Sequence, residues 1–106
     1  MSFILIYITH PNEKEAERIA NLLVEQKFVA CANIFPITSS YWWKEAIANE
    51  KEWVSIVKTI PENWEAVKAK VTEIHPYEVP CILKFGVEAN DAYEEWIRDS
   101  VKLEPM

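Results

Sequence analysis

Glycine is almost absent: Gly86 is the single one in 106 residues, where average usage of about 7% would supply roughly seven. This shortage excludes a G-x-G-x-x-G turn, a Walker loop and any Gly-rich phosphate cradle, which need several positions where bare backbone approaches a ligand. Turns must rest on Asn, Asp and Pro instead. Cysteine is scarce too. Cys31 and Cys81 lie far apart, with no C-x-x-C and no paired-histidine motif, so neither a zinc knuckle nor a thioredoxin-like redox site is written locally. Set in VACANI and VPCILKF, they read as reduced, buried, small hydrophobes. Positive charge is also short, with 11 Lys and Arg against 17 Asp and Glu and a net charge of −6. With no basic run, the chain lacks the footprint of a nucleic-acid binder. Long apolar runs are missing as well. The opening MSFILIYITHPNE meets charge at Glu13 and has no basic leader, so it reads as neither a signal peptide nor a membrane span. The expected location is the cytoplasm, with no membrane partner.

What is present is a globular composition, 50% apolar and 26% charged, at a length that fits one domain over residues 1–106. Phe3 to Thr9 (FILIYIT) reads as a strand buried on both faces and central in a sheet. Asn12 and Glu15 form a capping box for a helix whose inward stripe is Ala16, Ile19, Ala20 and Leu23. Val29 to Ile47 is strand-like and broken by Pro36, which implies an edge or a bulge. A turn is expected at Ala48-Asn49-Glu50-Lys51, with Asn49 taking any positive φ, and Trp53 to Lys58 is the returning strand. Thr59 and Glu62 suggest a second capping box with Pro61 in the first turn. The next helix carries Trp64, Val67, Val71 and Ile74 on one stripe and stops at Pro76. Val79 to Val87 is a fourth strand. Asn90 caps a last helix with Tyr93, Trp96, Ile97 and Val101 inward. The KLEPM tail is expected to fray.

The order β-α-β-β-α-β plus a terminal helix implies an α+β, ferredoxin-like split βαβ sandwich with both main helices on one face. Its hairpin is too long for the body that carries it. Fifteen residues at about 3.3 Å each span roughly 50 Å, against a radius of gyration of about 13 Å for a chain this size. The far end must project or bend. It holds Tyr41, Trp42, Trp43 and Trp53, and adjacent Trp42 and Trp43 point to opposite faces of a strand. Covering both calls for another chain, so a homo-oligomer built on this hairpin is expected. The alternative is a fold-back at Pro36 that buries both indoles internally.

His75-Pro76-Tyr77-Glu78-Val79-Pro80 is the densest cluster of polar and rigid residues. His75 reads as a cap of the helix with Tyr77 packed beside it; the alternatives are a ring held cationic by the helix dipole or a neutral nitrogen offered to a metal. His10 reads as a solvated loop residue, with a ligand or acid–base role as the alternative. Lys58 is either an anion partner or an ordinary exposed lysine. No serine elbow or other catalytic constellation is evident, and a non-enzymatic role is expected.

Ala30-Cys31-Ala32-Asn33-Ile34, Pro36, Thr38-Ser39, Tyr41-Trp42-Trp43, Lys58-Thr59, the His75–Pro80 run and Tyr93-x-x-Trp96-Ile97 together resemble the CutA divalent-cation-tolerance family, over essentially the whole chain. The resemblance implies a homotrimer joined through the long hairpins at Trp42, Trp43 and Trp53. It implies a shape like the PII signalling proteins, with intersubunit clefts lined by Tyr41, Trp43, Lys58, His75 and Glu78. It also implies tolerance of copper or other divalent cations, with metal ions as partners and no obligatory cofactor. The copper ligands described for a bacterial member of that family correspond to Ile8, Ile74 and His75, of which only His75 can ligate. Cys31 matches a cysteine common in the family, so His75 and Cys31 are the metal candidates. The alternative function is a ligand-sensing trimer with a small molecule in its clefts. The family usually places glycine soon after Tyr-Trp-Trp, where this chain has Glu45-Ala46. Replacing a loop glycine at a compatible site stabilises by about 0.4–1 kcal/mol, so a stiffened hairpin is expected, provided Glu45 avoids positive φ.

Overall fold

The computed structural model describes residues 3–101. In chain order the elements are β1 (Phe3–His10), α1 (Glu13–Glu25), β2 (Cys31–Trp43), β3 (Ala46–Thr59), a 3-10 turn (Pro61–Asn63), α2 (Trp64–Ile74), β4 (Ile82–Val87) and α3 (Asp91–Asp99). The sheet order is β2-β3-β1-β4, with every neighbouring pair antiparallel. β3 separates β1 from β2, and β1 separates β3 from β4, so each βαβ unit is split by a strand of the other. This is the α+β, ferredoxin-like sandwich, with α3 appended.

The core lies between one sheet face and helices α1 and α2. Ile4, Ile6 and Ile8 meet Ile19 and Leu23 of α1, Val57 of β3, and Val67 and Val71 of α2. Burying each aliphatic side chain contributes about 1.5–3 kcal/mol. The alternation of β1 shows that only this face is closed by the main helices: Leu5, Tyr7 and Thr9 stay half-buried. The expected burial on both faces is therefore corrected. On the second face, α3 covers one end, where the Tyr93 ring meets the edge of Phe3 at a centroid distance of 5.9 Å. Phe35, Leu83 and Phe85 of the sheet remain exposed.

Local chemistry fixes the joints. Asn12 accepts the Glu15 amide at 2.9 Å, while the Glu15 carboxylate binds Arg18 rather than closing the expected box. Arg18 also donates to the Ile74 carbonyl at 2.8 Å, so a side chain of α1 satisfies an orphan carbonyl at the end of α2. Thr59 is not a helix cap. It ends β3, and its hydroxyl donates to the Phe28 carbonyl at 2.7 Å, a carbonyl that Asn63 also binds. Pro61 opens the 3-10 turn, as expected. Asn90 precedes α3 without a side-chain cap; Glu94 takes the Ala89 amide instead. Ile97 is buried, but Trp96 is 48% exposed and is not an inward residue. β4 begins at Ile82, three residues later than its sequence suggests.

The hairpin projects as its length requires, with Pro36 on an edge strand, but its turn departs from expectation. β2 runs through Pro36 without folding back, on the sheet edge, and pairs with β3 from Cys31↔Lys58 to Trp43↔Ala46. The internal fold-back is excluded. The molecule is accordingly long, 45 × 27 × 21 Å, and the indoles of Trp42 and Trp43 are exposed in the protomer. The turn is Lys44-Glu45, not residues 48–51, and Asn49 lies within β3 opposite Ser40. Lys44 and Glu45 adopt φ 48° and 66°, the positive pair that a two-residue type I′ turn requires between right-twisted strands. Glu45 is therefore strained, and the expected gain from losing glycine there is overturned. Replacing Glu45 by Gly should raise stability by about 0.5–1 kcal/mol, several degrees in Tm for a domain this size. Thermal unfolding checks this; an unchanged or lowered Tm would remove the strain argument.

Candidate functional site

The site grows from the junction where α2 ends against β1. His75 is the C-cap of α2, with extended backbone. Its Nε2 lies 2.7 Å from the Thr9 carbonyl, and its Nδ1 accepts the Tyr77 amide at 3.0 Å. A carbonyl can only accept, so Nε2 carries the proton and Nδ1 holds the lone pair. Both nitrogens are committed and the ring is neutral. Burial pushes its pKa down, against the opposing pull of the Thr9 carbonyl. The cationic-cap reading gives way for this reason.

His10 stacks on His75 with ring centroids 5.3 Å apart. It is fully buried, not a solvated loop residue. Its Nε2 lies 2.8 Å from the Ser55 hydroxyl, while Nδ1 is buried with no hydrogen-bond partner among the described residues. Burial lowers its pKa to about 4, and the neighbouring His75 pushes in the same direction.

Past His75, the Pro-rich segment turns Tyr77 back over the open sheet face, where its hydroxyl donates to Glu52 at 2.5 Å. Glu52 is only 6% exposed. Burial and this carboxylate raise the Tyr77 phenol far above its ordinary range. Tyr41 donates to Glu50 at 3.0 Å in the same way, and that bond raises its pKa. Between the hairpin and the Tyr77–Val79 segment lies a cavity of about 770 Å³. Tyr7 and Thr9 form part of its floor, Tyr41 and Trp43 come from the hairpin, and Glu50, Glu52 and Glu78 supply carboxylates. Among the described residues, no Lys or Arg lines it. Cys81 lies at its edge, its thiol pushed up by burial.

The structure thus gathers Tyr41, Trp43 and Glu78 around one pocket, with His75 behind it, holding Tyr77. Lys58 is elsewhere. It pairs with Leu5, at the opposite end of β1 from His10, and donates to the Tyr93 hydroxyl at 3.1 Å. Six positions along β3 separate it from Glu52, roughly 20 Å. Cys31 stays with Lys58, its sulfur 3.7 Å from the Tyr93 hydroxyl. Within one chain, Cys31 and His75 therefore do not form a joint metal site, and His75 has no free lone pair. Among the described residues no three His, Cys, Asp or Glu side chains converge as a metal cluster. Trp42 is 72% exposed at the hairpin end. Trp53 is half-buried opposite His10 and Pro36.

Sequence reasoning missed Glu50, Glu52, Tyr7 and Thr9. The signal was the alternation Glu50-x-Glu52-x-Val54, which places both carboxylates on one strand face. The misplaced turn hid it by assigning Glu50 to a loop.

Comparison with known proteins bears on the same region. Residues 4–100 match the family described as CutA1 divalent ion tolerance protein. The divalent-cation tolerance protein CutA of Thermotoga maritima is 42% identical over 99 residues, covering 92% of this chain and 98% of that protein. The protein of the same description from Archaeoglobus fulgidus is 43% identical over 98 residues, covering 92% and 96%. A solved structure described as the periplasmic divalent cation tolerance protein CutA from Archaeoglobus fulgidus superposes with a TM-score of 0.91, at 42% identity, covering 94% of this chain and 99% of that one.

The histidine pair makes stability acid-sensitive. A buried His10 with its pKa lowered to about 4 binds fewer protons than it does unfolded, where it titrates near 6.5. Its contribution is complete above pH 6.5 and is lost as pH falls towards 4, on the order of 3 kcal/mol in all. Urea unfolding between pH 7.5 and 4 should show this slope, and His10→Phe should flatten it, whatever its stability at pH 7. An equal slope in both proteins would show that other groups carry the acid response.

Proposed function

The chain belongs to the CutA1 divalent ion tolerance family, and from that membership we propose that it is a homotrimeric, non-enzymatic ligand-binding protein acting in divalent cation tolerance, its site the pocket beside the His75–Pro80 segment. The observation that carries this reading is Glu52, a carboxylate 6% exposed, tied to Tyr77, in the wall of a cavity of about 770 Å³. Pockets of about 300–1,000 Å³ suit small molecules. Support for the trimer comes from the exposed Trp42 and Trp43 and from the bare sheet face with Phe35, Leu83 and Phe85, a surface too apolar to leave in water. Two unpaired thiols support a cytoplasmic setting, and among the described residues no helix is long and apolar enough to cross a membrane.

Direct binding of copper or another divalent ion is the second reading, favoured by three carboxylates in a pocket without Lys or Arg. Such an ion is cargo here, not a resident cofactor. His75 would contribute only if its Nδ1 released the Tyr77 amide, and Cys31, at the Lys58 end of the sheet, only from a separate chain.

Sedimentation equilibrium at micromolar concentration should give a mass of three protomers; a stable folded monomer would overturn the assembly. A metabolite-library thermal-shift screen on metal-free protein should yield a compound that stabilises the wild type and not Glu52→Gln. No shift anywhere in the library would count against the pocket. Calorimetry with Cu²⁺ tests the second reading: saturable binding weakened in Glu52→Gln supports it, absence of saturable binding overturns it, and equal affinity in wild type, His75→Ala and Cys31→Ala removes those two residues as ligands.

A further inference from the structure

Helix α2 ends without the cation that a helix C-terminus favours. Its last turn holds no basic residue, and Pro76 forbids a further turn that could take up its last carbonyls. Arg18 meets both needs from α1. Its Nη2 donates to the Ile74 carbonyl at 2.8 Å, across 56 positions of sequence, and brings a positive charge to the negative end of the α2 dipole. The guanidinium is aimed by Glu15, which takes Nε at 3.1 Å and Nη2 at 2.8 Å, the two-point grip that a planar fork allows and an ammonium group does not. Glu15 is itself placed by Asn12, which accepts its amide at the start of α1.

We propose that Arg18 is a positioning residue for Tyr77, and through Tyr77 for the wall of the pocket. The Ile74 carbonyl and the His75 N–H belong to one planar peptide. The N–H donates to the Val71 carbonyl at 2.9 Å, and that bond alone leaves the plane free to tilt about it. Arg18 holds the opposite side and removes the freedom. The His75 ring then keeps its 2.7 Å contact with the Thr9 carbonyl and its hold on the Tyr77 amide, and the Tyr77 hydroxyl meets Glu52. A ring displaced by about 1 Å loses the Thr9 bond. The bonds from Arg18 to His75 lie on the helix side of the sheet, so a second copy seated on the hairpin and the open face leaves them intact.

That Tyr77 bears on a ligand rests on reading this pocket as the ligand site; that Arg18 sets Tyr77 does not. The experiment is NMR of the full, ¹⁵N-labelled chain at neutral pH, with two signals read. One is the tautomer of His75, from its imidazole nitrogens; the other is the exchange rate of the Tyr77 amide. The wild type should show a protonated Nε2, a bare Nδ1 and a protected Tyr77 amide. In Arg18→Ala that amide should exchange about fivefold faster and His75 should move towards the tautomer mixture of a free imidazole. The Ile6 amide, in the core, should not change. Arg18→Lys keeps a cation and a donor and should restore part of both signals. Lys68→Ala removes another ion pair, from α2 itself, and should move neither. Sedimentation and thermal unfolding confirm that the variants are folded and assembled as the wild type is. Unchanged Tyr77 and His75 signals in folded Arg18→Ala overturn the proposal. So does an equal change in Lys68→Ala, which would mark general loosening, or an Arg18→Lys protein no better than Arg18→Ala. Neither signal needs a ligand: those results reject Arg18 and leave the pocket standing, whereas a compound screen without a hit rejects the pocket and leaves Arg18 in its role.

Discussion

The hydrogen bond from His75 to the Thr9 carbonyl is the joint on which the site depends. It ties the end of α2 to the far end of β1. A buried carbonyl and a buried imidazole satisfy each other there, and losing either partner would leave a polar group stranded at a cost of about 1–3 kcal/mol. The bond fixes the tautomer, and the tautomer leaves Nδ1 free to take the Tyr77 amide. The chain after α2 is then directed by that bond and by Pro76, which forbids helical continuation. Tyr77 comes to rest over the open sheet face because His75, two residues before it, is held through both ring nitrogens. Arg18 reinforces the joint from α1 by binding the Ile74 carbonyl.

The second constraint is the length of the hairpin. Strands of 13 and 14 residues carry Tyr41, Trp43 and Glu50 beyond the part of the sheet that helices cover. A single chain leaves that extension wet on both faces, and its tip is closed only by a strained Lys44-Glu45 turn. Turn strain at a projecting tip is tolerated when the strands on either side are held by other contacts. The pocket exists because the Tyr77–Val79 segment, returning after α2, lies against this extension on the open face of the sheet. The two walls come from segments distant in sequence, so neither reads as a binding motif alone.

Much of the fold was legible because it is local. The Asn12 cap, the helix stripes and the apolar first strand follow from local pattern, and the order of elements then selects the split βαβ arrangement. The site was legible only in part. His75, Tyr41, Trp43 and Glu78 stand out by type and by resemblance, whereas Glu50 and Glu52 depend on strand register. Register in turn depends on the hairpin turn, and Lys44-Glu45 carries none of the usual Gly, Asn or Asp signals for positive φ. A turn misplaced by a few residues moved Glu50 out of the strand altogether. The burial of His10 was invisible for a different reason. It lies at the end of β1 beside a Pro-Asn pair that reads as loop, and only the packing of His75 above it closes the space. The distance between Lys58 and His75 could not be judged either, since it depends on which end of the sheet each occupies.

Shared bonds also join the histidine pair to the pocket. Thr9 binds His75, His75 accepts the Tyr77 amide, and Tyr77 donates to Glu52. Protonating His75 would place a proton on Nδ1, turning the acceptor of the Tyr77 amide into a second donor facing it. The segment would have to move, and the Tyr77 hydroxyl would move with it. Glu52 would then lose its one fixed hydrogen-bond donor while remaining largely buried. Burial holds both histidines neutral at ordinary pH, which keeps this chain of bonds intact. The same low-dielectric surroundings that disfavour an imidazolium also make the uncompensated carboxylate costly. One buried environment therefore keeps the histidines neutral and keeps the tyrosine in place against Glu52.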